Sequence, residues 1–366
     1  MSTVYFTDFH TGSGGNLAAK LRRLFAAGDF AQAIAKNDLV AVKTHFGEYG
    51  NVAFVPPPVI RVFVDIALGL GARPFVTDSN TLYRGSRSNA VDHLKNAFMN
   101  GFGPESAGAP VIIADGLRGN DYKVIPFAGK HYRELKISSA IYDAHSAIVV
   151  SHVKGHELYG FGGALKNIAM GCVPPSGKQT IHSEFKPRVK EEGCTACGHC
   201  IRRCPADAIA YNARKKAEID QEKCIGCGEC TVVCPEGTIP VVWKTSAGPL
   251  HERTAEYVKG ILDTKPGRWV FFNFLMNVSP DCDCFPWNDA PIVPNIGILA
   301  STDPVAIDRA SADLVNRAVP LPGSRITAGE KSGDNISRIA GGGWERLLEL
   351  CEEHGIGENR YVIEEI

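Results

Sequence analysis

The chain has 366 residues, of which 44% are hydrophobic and 22% charged, and its formal net charge is −1 at pH 7. That length suits one large domain with a small one, or two of medium size, and the composition predicts a soluble globular protein. The charge balance excludes a general nucleic-acid binder, which would be basic. No stretch approaches the ~20 uninterrupted apolar residues of a membrane span, so none is expected.

The first 17 residues lack a charged segment followed by an apolar run, so no signal peptide is expected. Strands are predicted at 39–43, 73–77, 110–114 and 146–151, with helices at 57–70 and 89–99 between them. Further strands are predicted at 268–275 and 296–300, and helices at 303–317 and 344–354. This alternation predicts an α/β fold with a mainly parallel sheet. Neither flank of the central cysteine segment looks complete alone. The expected organisation is therefore an α/β domain in two parts, 1–185 and 245–366, with a small α+β module inserted at 186–244. Pro174, Pro175, Ser176, Gly177 and Pro187 read as boundary signals on one side, Gly248 and Pro249 on the other.

The module carries two copies of Cys-x-x-Cys-x-x-Cys-x-x-x-Cys-Pro, thirty residues apart: Cys194, Cys197, Cys200, Cys204 and Cys224, Cys227, Cys230, Cys234. This run holds 4Fe-4S clusters in bacterial two-cluster ferredoxins, where the fourth cysteine of each run serves the other cluster. The expected ligand sets are Cys194, Cys197, Cys200 with Cys234, and Cys224, Cys227, Cys230 with Cys204. Structural zinc is the main competitor, but it uses two pairs per metal with a longer gap. Two neighbouring clusters suggest an electron relay, although they also staple a segment too short for a sizeable core. The apolar stretches 208–211 and 238–242 suit strands covering the clusters, with Arg214, Lys215 and Lys216 at the first hairpin's turn. From 186 to 244 there are ten Lys or Arg against eight Asp or Glu. Arg202, Arg203 and Lys223 either soften cluster charge or form an ordinary solvated face.

Ligands of open α/β sheets bind at the carboxyl ends of strands, and three polar segments follow predicted strands directly. They are Lys43-Thr44-His45 with Glu48, Asp78-Ser79-Asn80 with Arg84 and Arg87, and His152 with Lys154, His156, Gly160, Gly162, Gly163, Lys166 and Asn167. Each alone is equally readable as a loop or helix cap. The third runs from a glycine-rich loop into a helix, where backbone amides can cradle a flavin phosphate or a substrate carboxylate. It matches neither the P-loop nor the dinucleotide fingerprint. His152 and His156, four apart, fit substrate contact or proton transfer better than a helical metal pair, because Gly155 lies between them.

Cys282 and Cys284 flank Asp283. In an extended chain both thiols would face one site, with Asp281 and Asp283 opposite. The roles open to them are a further metal, a redox dithiol, a substrate-facing thiolate, or simply two reduced cysteines. Cys172 could join them, whereas Cys351 reads as core. Ser301 or Thr302 is expected to cap the helix at 303–317, with Pro304 in its first turn.

Taken together, His156 with 160–171, the 281–284 segment and 300–308 resemble a prokaryotic iron-sulfur family known only as a domain of unknown function. Members of that family often carry an inserted two-cluster ferredoxin module. The resemblance implies an α/β domain and cytoplasmic iron-sulfur chemistry, with no settled substrate.

The expectation is an iron-sulfur oxidoreductase, or a subunit of one, passing electrons through two 4Fe-4S clusters to a site in the α/β domain. Expected catalytic residues are His152, His156, Lys166, Cys282 and Cys284. Lys43, His45, Asp78, Arg84, Gly160, Gly162, Gly163 and Asn167 are expected to bind the substrate or cofactor. Flavin is kept as a candidate without a motif of its own. The expected partners are a soluble electron donor or acceptor protein and a small molecule, in a reducing cytoplasm. The alternatives are a non-catalytic carrier, whose α/β domain binds a partner or regulatory ligand, and a metallocofactor maturation protein.

Overall fold

Two central strands are buried along their whole length, and each offers apolar side chains to both sides, so the sheet must be covered on both faces. The computed structural model describes residues 1–83, 85–182, 186–224, 226–240, 247–326, 333–340 and 343–366. In chain order the elements begin β1 (Ser2–Thr7), α1 (Leu17–Ala27), β2 (Leu39–Lys43), α2 (Pro57–Gly69), β3 (Arg73–Asp78), α3 (Ala90–Met99), α4 (Pro104–Ala107) and β4 (Val111–Ile113). A hairpin of β5 (Tyr122–Pro126) and β6 (Glu134–Ser138) leads to α5 (Ser139–Asp143) and β7 (Ser146–His152). A second hairpin, β8 (Lys154–His156) and β9 (Gly160–Gly162), precedes α6 (Ala164–Gly171) and α7 (Pro175–His182). The cysteine segment holds α8 (His199–Arg203), β10 (Ile209–Tyr211), β11 (Ala217–Ile219) and α9 (Glu229–Val233). The chain ends with α10 (Ala247–Asp263), β12 (Trp269–Leu275), β13 (Gly297–Ser301), α11 (Pro304–Arg317), α12 (Asn335–Ala340), α13 (Glu345–Glu353) and β14 (Tyr361–Glu365).

Eight strands form one sheet in the order β14-β1-β13-β12-β7-β2-β3-β4. Only β13 runs against the others, pairing antiparallel with β1 and β12. The remaining pairs are parallel, which makes this a mainly parallel α/β fold. Strand order changes direction at β2 and β7: β3 and β4 build outward from β2, whereas β7 and β12 lie on its other side. A crevice opens at such a switch point, beyond the carboxyl ends of the strands. Lys43 and His152 are the last residues of β2 and β7 and stand at its two sides.

Alternate residues of the strands feed two cores. Ala147, Val149 and Phe271 join Leu165 and Ile168 of α6, Val258 and Ile261 of α10 and Val305 of α11. Ile148, Val150, Val270 and Phe272 join Leu21 and Leu24 of α1 and Ile60 and Phe63 of α2 on the opposite face. Among the described residues no helix is long and apolar enough to cross a membrane.

The described residues of 186–240 contribute no strand to this sheet and have a small apolar cluster of their own, including Cys194, Cys200, Ile209, Ile219, Cys230 and Ile239. The thirty-residue repeat is also a backbone repeat. Ala196, Gly198 and Asp207 take positive φ, and so do Gly226, Gly228 and Gly237. Gly198 and Gly228 each start a short helix, α8 and α9. Strand β10 pairs with β11 around a turn at Arg214, Lys215 and Lys216. The strand expected at 238–242 is not formed at 238–240, and 241–242 lie outside the described residues.

Pro175 begins α7, where its fixed φ and missing N–H suit the first turn. Gly248 and Pro249 likewise lie in the first turn of α10. The cap of α11 is Asp303, whose carboxylate accepts from the amides of Val305 and Ala306, rather than Ser301 or Thr302.

Candidate functional site

The strand ends and the loops beyond them enclose a cavity of about 730 Å³, within the size range of small-molecule sites. Its wall includes Lys43, His45, Asp78, His152, His156, Lys166, Asn167, Cys282 and Cys284, so the three polar segments and the second cysteine pair meet in one place. Arg84 lies outside the described residues. Gly160, Gly162 and Gly163 are not part of this wall.

On one side a buried ion network fixes the wall. Lys43 Nζ lies 2.9 Å from Asp78 Oδ1 and donates to Asn167 Oδ1 at 2.6 Å. Arg87 Nε donates to Glu48 Oε2 at 3.0 Å, and Tyr83 also bonds both Arg87 and Glu48. Burial alone would raise the Asp78 pKa, but Lys43, His93 and Arg87 outweigh it and hold the carboxyl below its usual range. His45 Nδ1 accepts the amide of Gly47 at 2.9 Å. Burial, reinforced by Arg87, pushes this ring well below the ordinary histidine range, so it is neutral.

On the other side the chain turns at Cys282–Cys284 rather than running extended, with the Phe285 amide donating to the Cys282 carbonyl at 3.1 Å. The two aspartates consequently diverge. Asp281 pairs with Arg325 at 2.7 Å, while Asp283 is wholly buried. Asp283 lies 2.9 Å from Lys154 Nζ and 3.0 Å from His152 Nδ1. Burial opposes its ionisation, yet Lys154 and His152 hold its pKa far below the usual value. His152 Nε2 donates to the Met276 carbonyl at 2.7 Å. Both ring nitrogens therefore face acceptors. That corrects the expected role of His152: its ring is committed to holding Asp283 and the 276 turn, with no nitrogen left for a substrate.

His156 differs. Its Nδ1 accepts the amides of Leu158 and Tyr159 at 3.1 and 3.3 Å, which leaves the proton on Nε2. Burial and then Lys166 push its pKa down, so the ring is neutral and donates to the Cys282 sulfur. Lys166 Nζ donates to the same sulfur at 2.9 Å. A hydrogen bond from Cys284 lowers the Cys282 pKa most. Burial works against it, and Lys166 and His156 carry the value well below that of an ordinary thiol. Cys284, bonded to that sulfur and largely buried, is pushed the opposite way and stays a thiol.

The anion cradle expected at Gly160–Gly163 is already filled by the protein. Asp308, on α11, accepts the amides of Ala164 and Leu165 at 2.7 and 3.0 Å. A Cβ at Gly163 would stand 2.3 Å from that carboxylate, so glycine is what admits it. Gly160 and Gly162 form the short strand β9 opposite β8. Cys172 is also not part of the site. It is buried in the core at the end of α6, where burial pushes its thiol up to about 11. Cys351 is core, as its helical spacing implied.

Lys178, on α7, went unrecognised in the sequence, hidden behind prolines that read as a boundary. It lines the cavity, donates to Ser79 Oγ at 3.0 Å and to the Asn80 carbonyl, and makes no ion pair among the described residues. Burial lowers its pKa to about 8 against the attraction of Asp115.

The eight cysteines of the small lobe surround two separate spaces. Cys194, Cys197, Cys200 and Cys234 line one; Cys204, Cys224, Cys227 and Cys230 line the other. Among the described residues no three His, Cys, Asp or Glu side chains are set to hold a single metal ion, at Cys282 and Cys284 or elsewhere.

The second space abuts the larger domain. Glu229 accepts from Tyr122 Oη at 2.7 Å, Lys136 Nζ at 2.8 Å and Arg203 Nε at 3.2 Å. Beside it, a Cβ on Gly228 would fall 2.3 Å from Gln179 Cγ, so the cysteine loop lies flush against α7.

Among solved structures, the chain is similar to the lactate racemase apoprotein from Thermoanaerobacterium thermosaccharolyticum, with 12% identity and a TM-score of 0.34, over 70% of this chain and 57% of that one. It is also similar to a structural-genomics protein from Thermotoga maritima, with 9% identity and a TM-score of 0.39, over 94% of this chain and 61% of that one. The matched portion is about three fifths of the length of either relative. No curated protein matches. Residues 40–313 match the family described as a domain of unknown function, DUF362, and the chain belongs to that family.

Proposed function

We propose that the protein is an iron-sulfur oxidoreductase of a reducing compartment, in which two 4Fe-4S clusters in the small lobe exchange electrons with a small molecule bound in the large cavity. The observation that carries this reading is helix α7. Gln179 packs on Gly228 in the second cysteine loop, while Lys178 and His182 of the same helix form part of the cavity wall. Helix α7 thus borders both sites.

The cysteine geometry supports the cluster assignment. A tetrahedral zinc ion would draw four sulfurs to within about 2.3 Å of one point. Here four thiols line each of two spaces instead, and all eight cysteines are free of disulfides. Cys194, Cys197, Cys200 and Cys234 would hold one cluster, and Cys204, Cys224, Cys227 and Cys230 the other. Each cluster, when bound, supplies one-electron redox chemistry at a potential set by its surroundings.

The chain's own residues supply the rest. Lys43 and Arg87, held by Asp78 and Glu48, fix the charge of one wall. Neutral His45 offers a ring nitrogen, and Lys178 offers an ammonium to an anionic group. Apolar Leu158, Met170 and Phe285 complete the wall.

Protein purified without oxygen is expected to contain about eight iron and eight acid-labile sulfide per chain. Its reduced form should be reoxidised by a cavity ligand, and Lys178→Met should slow that step while leaving the iron in place. Absence of iron and sulfide overturns the reading. Reoxidation indifferent to Lys178→Met removes the cavity from it and favours a carrier.

A further inference from the structure

Cys282 lies in the cavity wall, where Lys166 Nζ donates to its sulfur at 2.9 Å and the His156 ring and the Cys284 thiol stand beside it. A neutral thiol needs no such surroundings; a thiolate does, since burial without donors would drive it back to the protonated form. The donors are themselves fixed. His156 is held as the Nε2–H tautomer by two backbone amides. Lys166 lies on α6, whose start is pinned by Asp308. The Cys282–Cys284 turn is anchored through Asp283 to Lys154 and His152. So much support for one sulfur resembles the arrangement of an activated nucleophile, with neighbouring groups to generate the thiolate and a further shell to orient them.

We propose that Cys282 is a covalent nucleophile that adds to the carbonyl carbon of a small anionic substrate, whose charged group is held by Lys178. The chemistry follows from the groups present. The Cys282 sulfur forms a bond to the carbonyl carbon, and the C=O π pair moves onto oxygen. The Lys166 ammonium gives that oxygen its proton, because the sulfur's negative charge, which kept Lys166 protonated, has been consumed. Release runs the same steps backwards, and no oxidant or reductant is required. Lys178 suits the substrate's anion because its ammonium faces only the neutral oxygens of Ser79 and Asn80 among the described residues, whereas Lys43 and Lys154 are paired with Asp78 and Asp283 and Lys166 is engaged by Cys282. The Cys284 thiol remains a donor, retaining Cys282 in its ionised form after each release.

This inference shares the cavity with the function proposed above but does not depend on the clusters, and its test reads the sulfur directly. Cluster-loaded protein is alkylated without oxygen by limiting iodoacetamide between pH 5.5 and 9, and the modified peptides are quantified by mass spectrometry. Labelling of Cys282 is expected to stay nearly level down to about pH 6, whereas an ordinary thiol loses tenfold per pH unit below about 8.5. Lys166→Met is expected to restore that ordinary dependence and slow labelling at least tenfold at pH 6.5. If this variant loses its clusters or its fold, the wild-type profile decides alone. Glyoxylate, an anionic aldehyde, should protect Cys282 at concentrations where glycolaldehyde does not, and Lys178→Gln should abolish the difference. A Cys282 that labels like an ordinary thiol overturns the nucleophile. Equal protection by both aldehydes, or by neither, overturns the substrate class. Any of these failures leaves the iron content, and the electron-transfer proposal, untouched.

Discussion

Glu229, within the second cysteine run, places Oε1 2.8 Å from Lys136 Nζ on β6, and this ion pair ties the cysteine lobe to the sheet domain. Burial raises the Glu229 pKa, but Lys136 and the hydrogen bonds from Lys136, Tyr122 and Ser176 outweigh it and keep the side chain ionised. Glu229→Gln preserves shape while leaving Lys136 and Arg203 without their counter-charge. Part of Arg203 reaches solvent, so the expected loss is about 1–3 kcal/mol rather than the full penalty of a buried orphan charge. Thermal melting of anaerobic protein should show it, with iron leaving the Cys204, Cys224, Cys227, Cys230 set sooner than the other. Equal loss from both sets would show that Glu229 does not act locally.

The repeat supplies an internal control for the contact with α7. Gly198 and Gly228 hold equivalent positions at φ of 75° and 72°, so alanine strains the backbone of both by roughly 1–2 kcal/mol. Their surroundings differ. A Cβ at Gly228 would meet Gln179 Cγ at 2.3 Å and Cβ at 2.5 Å, whereas at Gly198 it would meet the tips of Tyr211 and Arg202 at 2.9 and 3.0 Å. Side-chain tips can move aside; a Cβ on a packed helix cannot. Gly228→Ala should therefore lower the melting temperature more than Gly198→Ala, and adding Gln179→Ala should recover part of the difference. Identical behaviour of the two variants would mean that α7 does not press on the second loop.

The sheet was readable because its central strands are short apolar runs followed by polar residues, as at Val40–Lys43 and Ile148–His152. Strand β1 escaped notice because its exposed positions blur the pattern, and β14 because it is an exposed edge. Helix α7 went unread because Pro175 can open a helix as readily as it marks a boundary. The site was half legible. Lys43 and Asp78 stood at the ends of expected strands and His156 and Lys166 in the segment after a third, whereas Cys282 read only as part of a loop, and it is the cavity that brings it to the others. What could not be read was occupancy. A glycine-rich helix start looks vacant until Asp308, more than 140 residues away, is found in it. His152 looks available until Asp283 and Met276 are found on its ring.

Asp283 gives a pH-dependent prediction. Its pKa is depressed in the folded protein, burial being outweighed by Lys154 and His152. A carboxyl depressed on folding contributes stability above its unfolded pKa, about 3.9, and loses that contribution as pH falls toward the folded value. Asp283→Asn should therefore destabilise the protein at pH 7 by about 3 kcal/mol or more, because Lys154 and His152 lose their buried counter-charge. The gap between wild type and variant should hold from pH 7 to about 5 and narrow only near pH 4 and below. Denaturant titration of both proteins at several pH values measures it. A gap already closing at pH 6 would place the depression elsewhere.

The division of the cysteines into two spaces predicts a crossed pattern of loss. Cys204 belongs by sequence to the first run but lines the space with Cys224, Cys227 and Cys230, and Cys234 is exchanged in the opposite sense. Local folding explains the crossing. In each run three cysteines lie on one loop and its short helix, and the fourth ends that helix, directed across toward the other loop. Cys204→Ser should then perturb the cluster of the second run and spare that of the first, and Cys234→Ser should do the reverse. The two clusters can be told apart by how Gly228→Ala shifts one signal and not the other in low-temperature electron paramagnetic resonance of reduced protein. If Cys204→Ser removes the signal insensitive to Gly228→Ala, ligation is uncrossed and the two spaces have been assigned to the wrong runs.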